Sequence, residues 1–180
     1  ERQAAIEPCR CRDGARHHEH VPDVTTLDVA GPVVAPLHVV ELTVSLERHD
    51  LGVRVHGDGG VLLDAAHNDA GADALARHLA TLEAPRPLVF AAMRDKDVTA
   101  MLRRLAPRAS KLIVTRASNP RSAEPSDLEA AARRVAPMLR VEIAASPAEA
   151  LAQAWSTAPR IVVAGSIFLL ADIMKELGRS

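Results

Sequence analysis

From residue 61 onward, short runs that are apolar throughout alternate with longer stretches in which apolar residues return every three or four positions. The short runs are Val61-Leu62-Leu63, Leu88-Val89-Phe90-Ala91, Leu112-Ile113-Val114-Thr115, Val141-Glu142-Ile143 and Ile161-Val162-Val163-Ala164. Their length and β-branched content predict buried strands. Between them, Ala72, Leu75, Leu79 and Leu82 fall on one helical face, and Val98, Met101, Leu102 and Leu105 make a second stripe that stops before Pro107. Leu128, Ala131 or Ala132, and Val135 form a third, with Pro125 near its start and Pro137 near its end. Ser146-Pro147-Ala148-Glu149 is a capping box that opens a helix through Leu151 and Trp155. Ile167, Leu170, Met174 and Leu177 predict the closing helix, and Trp155 and Phe168 read as core. The order is strand then helix, five times over. Wholly apolar strands alternating with helices imply an α/β domain over 58–180, with a mostly parallel sheet covered on both faces.

Before residue 58 the pattern changes. Residues 27–57 are β-like and broken by Gly31, Pro32 and Pro36, and they read as the remnant of a preceding domain. Val53 and Val55 alternate with Arg54 and His56, and Gly57-Asp58-Gly59-Gly60 then predicts a hairpin into Val61. Residues 1–26 show neither period and read as a flexible polar segment. Cys9, Cys11, His17, His18 and His20 carry ligand types suited to zinc, but C-x-C with H-H-x-H matches no standard structural site, and no metal is assigned.

Composition narrows the function. The net charge is -1 and aromatics make up 2% of the chain, so neither a basic footprint nor a stacking platform points to nucleic acid. No apolar run is long enough to span a membrane. The chain opens with Glu-Arg-Gln rather than an apolar signal segment, and its two cysteines sit one residue apart. The expectation is a cytoplasmic protein, with room for it to be the back part of a longer chain.

The alternation carries a positional consequence. In a parallel sheet the carboxyl ends of the strands share one edge, where ligands bind. Asp64, Met93-Arg94-Asp95-Lys96, Arg116 and Gly165-Ser166 all follow strands directly and should converge there.

Four segments on that edge resemble one family. Leu63-Asp64-Ala65-Ala66-His67-Asn68 is similar to its "D-x-A-H-N" turn, and Phe90-Ala91-Ala92-Met93-Arg94-Asp95-Lys96-Asp97 to its "F-G-x-x-x-D-K-D". Thr115 to Ala123 resembles "T-x-x-x-x-P-R-A", and Gly165-Ser166-Ile167-Phe168-Leu169 resembles "G-S-L-Y-L". The family is that of folylpolyglutamate and dihydrofolate synthases, relatives of the Mur peptide ligases. The resemblance covers residues 61–180 and implies a Rossmann-like C-terminal domain. It implies an ATP-dependent reaction in which a folate or pteroate carboxylate becomes an acyl phosphate that L-glutamate converts to an amide. Asp64 and Asn68 then stand where the nucleotide binds, and His67 and Ser166 where glutamate binds. Lys96 and Arg121 supply charge nearby. Magnesium ligands and the phosphate loop belong to the family's N-terminal domain.

The residues also admit plainer roles. Asp64 and Ser166 suit helix caps, and Lys96 and Arg121 suit solvated charge pairs or loop supports. A hydrolase triad is disfavoured because no G-x-S-x-G occurs. No G-x-x-G-K-S/T occurs either, and where the family places Pro-Gly-Arg the chain reads Asp50-Leu51-Gly52-Val53, with Arg54 next. Two functions follow: the glutamate- and nucleotide-binding part of a ligase that draws on a separate phosphate-loop domain, or a non-catalytic binding module that keeps the fold.

Overall fold

The computed structural model describes residues 39–43 and 60–178 of the chain. The elements are β1 (Val39–Thr43), β2 (Gly60–Asp64), α1 (Asp69–Leu79), β3 (Arg86–Phe90), α2 (Val98–Leu105), β4 (Ala109–Val114), α3 (Pro125–Val135), β5 (Val141–Ile143), α4 (Pro147–Trp155), β6 (Arg160–Ala164) and α5 (Ile167–Glu176). A 3-10 turn, Ala106–Arg108, joins α2 to β4. The five strand-helix units fall where the apolar periodicity puts them.

The strands form one sheet in the order β1-β2-β6-β3-β4-β5, parallel except for β1. Handedness then fixes the layers. From β2 to β5 every crossover moves in one direction across the sheet, so right-handed connections put α1, α2 and α3 on one face. The step from β5 back to β6 reverses direction and puts α4 on the other. Packing agrees. Leu75, Met101, Leu102, Leu105 and Leu128 cluster with Leu62, Leu88, Phe90, Leu112 and Val162. Leu151, Trp155, Leu169 and Ile173 cluster with Val61, Leu63, Val89, Ile113 and Val163. Alternate residues of each strand thus serve opposite faces, the two-residue period of a sheet buried on both sides. β5 lies at the edge, is three residues long and carries Glu142, features that blunt an exposed edge.

The neighbours of β2 are β1 and β6, so both of its edges are taken. The antiparallel partner of β2 is Val39–Thr43, and the expected hairpin strand with Val53 and Val55 lies outside the described residues. The sheet therefore reaches back into the segment 27–57. The face of α5 is also rotated from the expected stripe. Leu169, Asp172 and Ile173 are buried, whereas Ile167 and Met174 are exposed, and Phe168, expected in the core, is 40% exposed. Leu169 and Ile173 pack into the core on this face, and the Asp172 carboxylate beside them accepts hydrogen bonds from a loop residue described below. The segment 1–26 and its Cys and His residues lie outside the described residues. Among the described residues, no helix is long and apolar enough to cross a membrane.

Candidate functional site

The site begins with strand order. β6 is inserted between β2 and β3, and Leu63 pairs with Val163. The next residues in register are Asp64 and Ala164, so the ends of β2 and β6 lie side by side. The chain leaves β2 toward α1 on one face and leaves β6 toward α5 on the other. Adjacent strands whose connections part to opposite faces open a crevice at their carboxyl ends, the usual ligand position in such sheets.

On the β2 side, Asp64 is 7% exposed and its Oδ1 accepts from Ala66 N–H at 2.7 Å. This bond turns the chain sharply out of the strand. His67 is exposed, and its Nδ1 lies 2.9 Å from Ala65 O. A carbonyl only accepts, so Nδ1 carries the proton in this bond and Nε2 remains for a ligand. Asn68 is the N-cap of α1, its Oδ1 accepting from Gly71 N–H at 2.8 Å. Gly71 packs closely on this turn, since a Cβ there would stand 3.1 Å from Ala66 Cα.

On the β6 side, the turn is two residues long. Gly165 has φ +105°, and a Cβ would lie 2.3 Å from Ala91 O and 2.6 Å from the Phe90 ring. Only glycine lets β6 end this close to β3. Ser166 is 2% exposed and caps α5, its Oγ accepting from Phe168 N–H at 3.2 Å.

The loops after β3 and β4 are braced against each other. Arg94 N–H donates to Arg121 O, and Ala123 N–H to Ala92 O. The Arg94 side chain donates to Ser122 O at 3.1 Å and to Glu124 Oε1 at 3.2 Å. Arg116 reaches the same Glu124 at 3.0 Å. Arg121 bonds Asp95 at 3.0 Å, and Lys96 Nζ lies 3.6 Å from the same carboxylate. The Asp95 carboxyl is held below its ordinary range, first by a backbone hydrogen bond and then by the charges of Arg121 and Lys96. Ser118 donates to Asp172 twice, from N–H at 2.8 Å and from Oγ at 2.7 Å, tying the β4 loop to α5.

The edge thus gathers every residue expected on it. Asp64, His67 and Asn68 stand at the end of β2, and Ser166 one strand spacing away. β3 and β4 lie two and three spacings of about 4.8 Å from β2, and Lys96 and Arg121 belong to the loops that follow them. Asn68 and Ser166 act as caps, and Lys96 and Arg121 share one carboxylate. Sequence reasoning missed Glu124 and Asp172. Asp172 had a signal, an acid inside the apolar run Leu169 to Met174, since a buried charge needs partners. Glu124 had none. Among the described residues, no three His, Cys, Asp or Glu side chains come together to hold a metal ion.

Comparison with known proteins agrees with this architecture. A family model, "Mur ligase, glutamate ligase domain", matches residues 53–167. Folylpolyglutamate synthase from Mycobacterium tuberculosis, solved with ADP and AMPPCP, is 32% identical. The match covers 71% of this chain and 31% of that one, with a TM-score of 0.63. Folylpolyglutamate synthase from Thermotoga maritima is 28% identical over 71% of this chain and 30% of its own, with a TM-score of 0.59. The bifunctional folylpolyglutamate/dihydrofolate synthase of Yersinia pestis, solved with AMPPNP and Mn, shares the fold at 22% identity, covering 72% of this chain and 31% of that one, with a TM-score of 0.58. No curated protein sequence matched. The chain spans about a third of the length of these solved relatives. On the family match and this likeness, it belongs to the Mur ligase family, through its glutamate ligase domain.

Proposed function

We propose that this domain forms the nucleotide- and glutamate-binding half of an ATP-dependent amide ligase that joins L-glutamate to a folate or dihydropteroate in the cytoplasm. The observation that carries the reading is the register of β2 with β6, which sets Asp64 and Ser166 at neighbouring strand ends. Asp64 offers carboxylate oxygens suited to ribose hydroxyls. The turn Ala66 to Asn68 would hold the nucleotide on the α1 side. A glutamate carboxylate would meet Ser166 Oγ and the N–H of Ile167, which as a first-turn residue has no partner within its helix. His67, steadied through Nδ1, would present Nε2 to the incoming glutamate.

The donor set fits one end of ATP better than the other. On the described loops Arg94, Arg116, Arg121 and Lys96 all share Glu124 or Asp95. Triphosphate charge would therefore be met by a further phosphate-loop domain, together with magnesium bound to the phosphates. When bound, ATP supplies the phosphoryl group that activates the acceptor carboxylate. This chain's residues orient the nucleotide and the glutamate amine and exclude water between them. The alternative module, which binds without turnover, is separated by the same experiment.

The experiment is isothermal titration of the chain with AMPPNP and with L-glutamate, beside an assay of ADP release with a folate acceptor. Binding of both ligands supports the reading, and turnover excludes the non-catalytic module. A folded sample that binds neither ligand overturns it.

A further inference from the structure

We propose that the groove between α1 and the α2–3-10 segment is a second anion site, built for a small dianion bearing phosphate or carboxylate oxygens. The groove encloses about 350 Å3. It is lined by Asp73 and Arg77 from α1, Arg103 and Arg104 from α2, and Arg108 from the 3-10 turn, together with the small residues Ala76 and Ala80. From Asp73 to Ala80 its lining stands five to twelve residues past Asn68, about 7.5 to 18 Å along the helix axis at 1.5 Å rise per residue. The groove is therefore separate from the carboxyl-edge crevice and does not depend on the function proposed for it.

Charge counting shows what the groove lacks. Arg104 is held by Asp69 at 3.1 Å and by Asp73 at 3.2 Å, and Arg77 bonds Asp73 at 3.2 Å. Two carboxylates thus face four guanidiniums. Arg103 and Arg108 have no carboxylate partner among the described residues. Arginines in a last helical turn favour the helix dipole, which accounts for Arg77, Arg103 and Arg104 singly. It accounts neither for Arg108, which lies outside the α-helix, nor for the convergence of all four on one hollow. The bonds from Asp69 and Asp73 fix Arg104 in place, so one wall of the groove is set before a ligand arrives. Guanidinium forks match the paired oxygens of phosphate and carboxylate, and an excess of two positive charges matches a dianion. The alanines leave room beside the charged oxygens for a short organic body.

The test is NMR of the full chain, following arginine Nε–Hε resonances during titration with inorganic phosphate and, separately, succinate. Sodium chloride at equal ionic strength is the control. The proposal expects saturable shifts at Arg103 and Arg108 with one or both probes, while the amides of residues 165–168 stay still. A response to phosphate alone, or to succinate alone, identifies which oxyanion the groove prefers. The double variant Arg103→Gln, Arg108→Gln should weaken binding at least about tenfold, because it removes both unpaired charges. Both arginines are exposed, and circular dichroism would verify that the variant keeps its fold. Shifts that sodium chloride reproduces, no response up to about 10 mM of either probe, or undiminished binding by the double variant would each overturn the proposal.

Discussion

The two turns that flank the crevice do the same job in opposite ways. The turn from β2 into α1 is four residues long, with His67 and Asn68 exposed, and its shape comes from side-chain bonds: Asp64 to Ala66 N–H, His67 to Ala65 O, Asn68 to Gly71 N–H. The turn from β6 into α5 is two residues long and buried, and its shape comes from a glycine with φ +105° pressed against Ala91 and Phe90. The long turn offers side chains to a ligand, and the short one offers a hydroxyl and a helix start at a fixed place. Adjacent strands with unlike exits are what make a crevice rather than a flat edge.

The comparison breaks most visibly at Gly165. Gly165→Ala puts a methyl 2.3 Å from a carbonyl oxygen and forces a strained φ. The expected cost is about 3 kcal/mol or more, a fall of roughly 10 °C in Tm by calorimetry. A change under about 1 kcal/mol would show that the short turn has slack.

Next in size is the tie between α5 and the β4 loop. Asp172→Ala leaves Ser118 N–H and Oγ unpaired in a half-buried place and should cost about 2 kcal/mol by denaturant unfolding. Asn68→Ala removes one cap bond from the exposed turn and should cost about 1 kcal/mol, with Asn68→Asp close to neutral. The contrast between Gly165 and Asn68 measures how much more constrained the buried turn is.

The smallest effect concerns the braced loops. The Asp95 carboxyl titrates below the ordinary aspartate value of 3.8, and a backbone hydrogen bond outweighs Arg121 among the causes. A carboxyl lowered by folding contributes stability that is complete above its unfolded value and is lost as pH falls through the folded one. Arg121→Gln should therefore lower Tm slightly at pH 7, with the difference fading as pH falls below the Asp95 midpoint, and raise that midpoint, observed by NMR, only part of the way to 3.8. A full return to 3.8 would assign the shift to Arg121 alone.

These elements differ in how far the sequence reveals them. Strand and helix positions were legible because each rests on local apolar periodicity, as in Leu112 to Val114 or the stripe Met101, Leu102, Leu105. The capping box was legible too: Ser146 Oγ accepts from Glu149 N–H, although the Glu149 carboxylate bonds Ala145 N–H, one residue earlier than the motif prescribes. Strand order was not, because the insertion of β6 between β2 and β3 is decided by pairing across a hundred residues. The rotation of α5 was not, because Leu169 and Ile173 pack into a core that includes Val61, Val89 and Ile113, and Asp172 takes its partner 54 residues away. For the site, the positions 64, 67, 68, 96, 121 and 166 were legible as post-strand segments and through the family resemblance. The joint hold of Arg94 and Arg116 on Glu124 was not, since nothing local marks it.

The most direct measurement is amide NMR of the chain titrated with AMPPNP and L-glutamate together. If one crevice holds both ligands, the amides of residues 64–68 and 165–168 move in the same titration and saturate together. Movement of one group while the other stays still, or shifts confined to the opposite end of the sheet, would contradict the account.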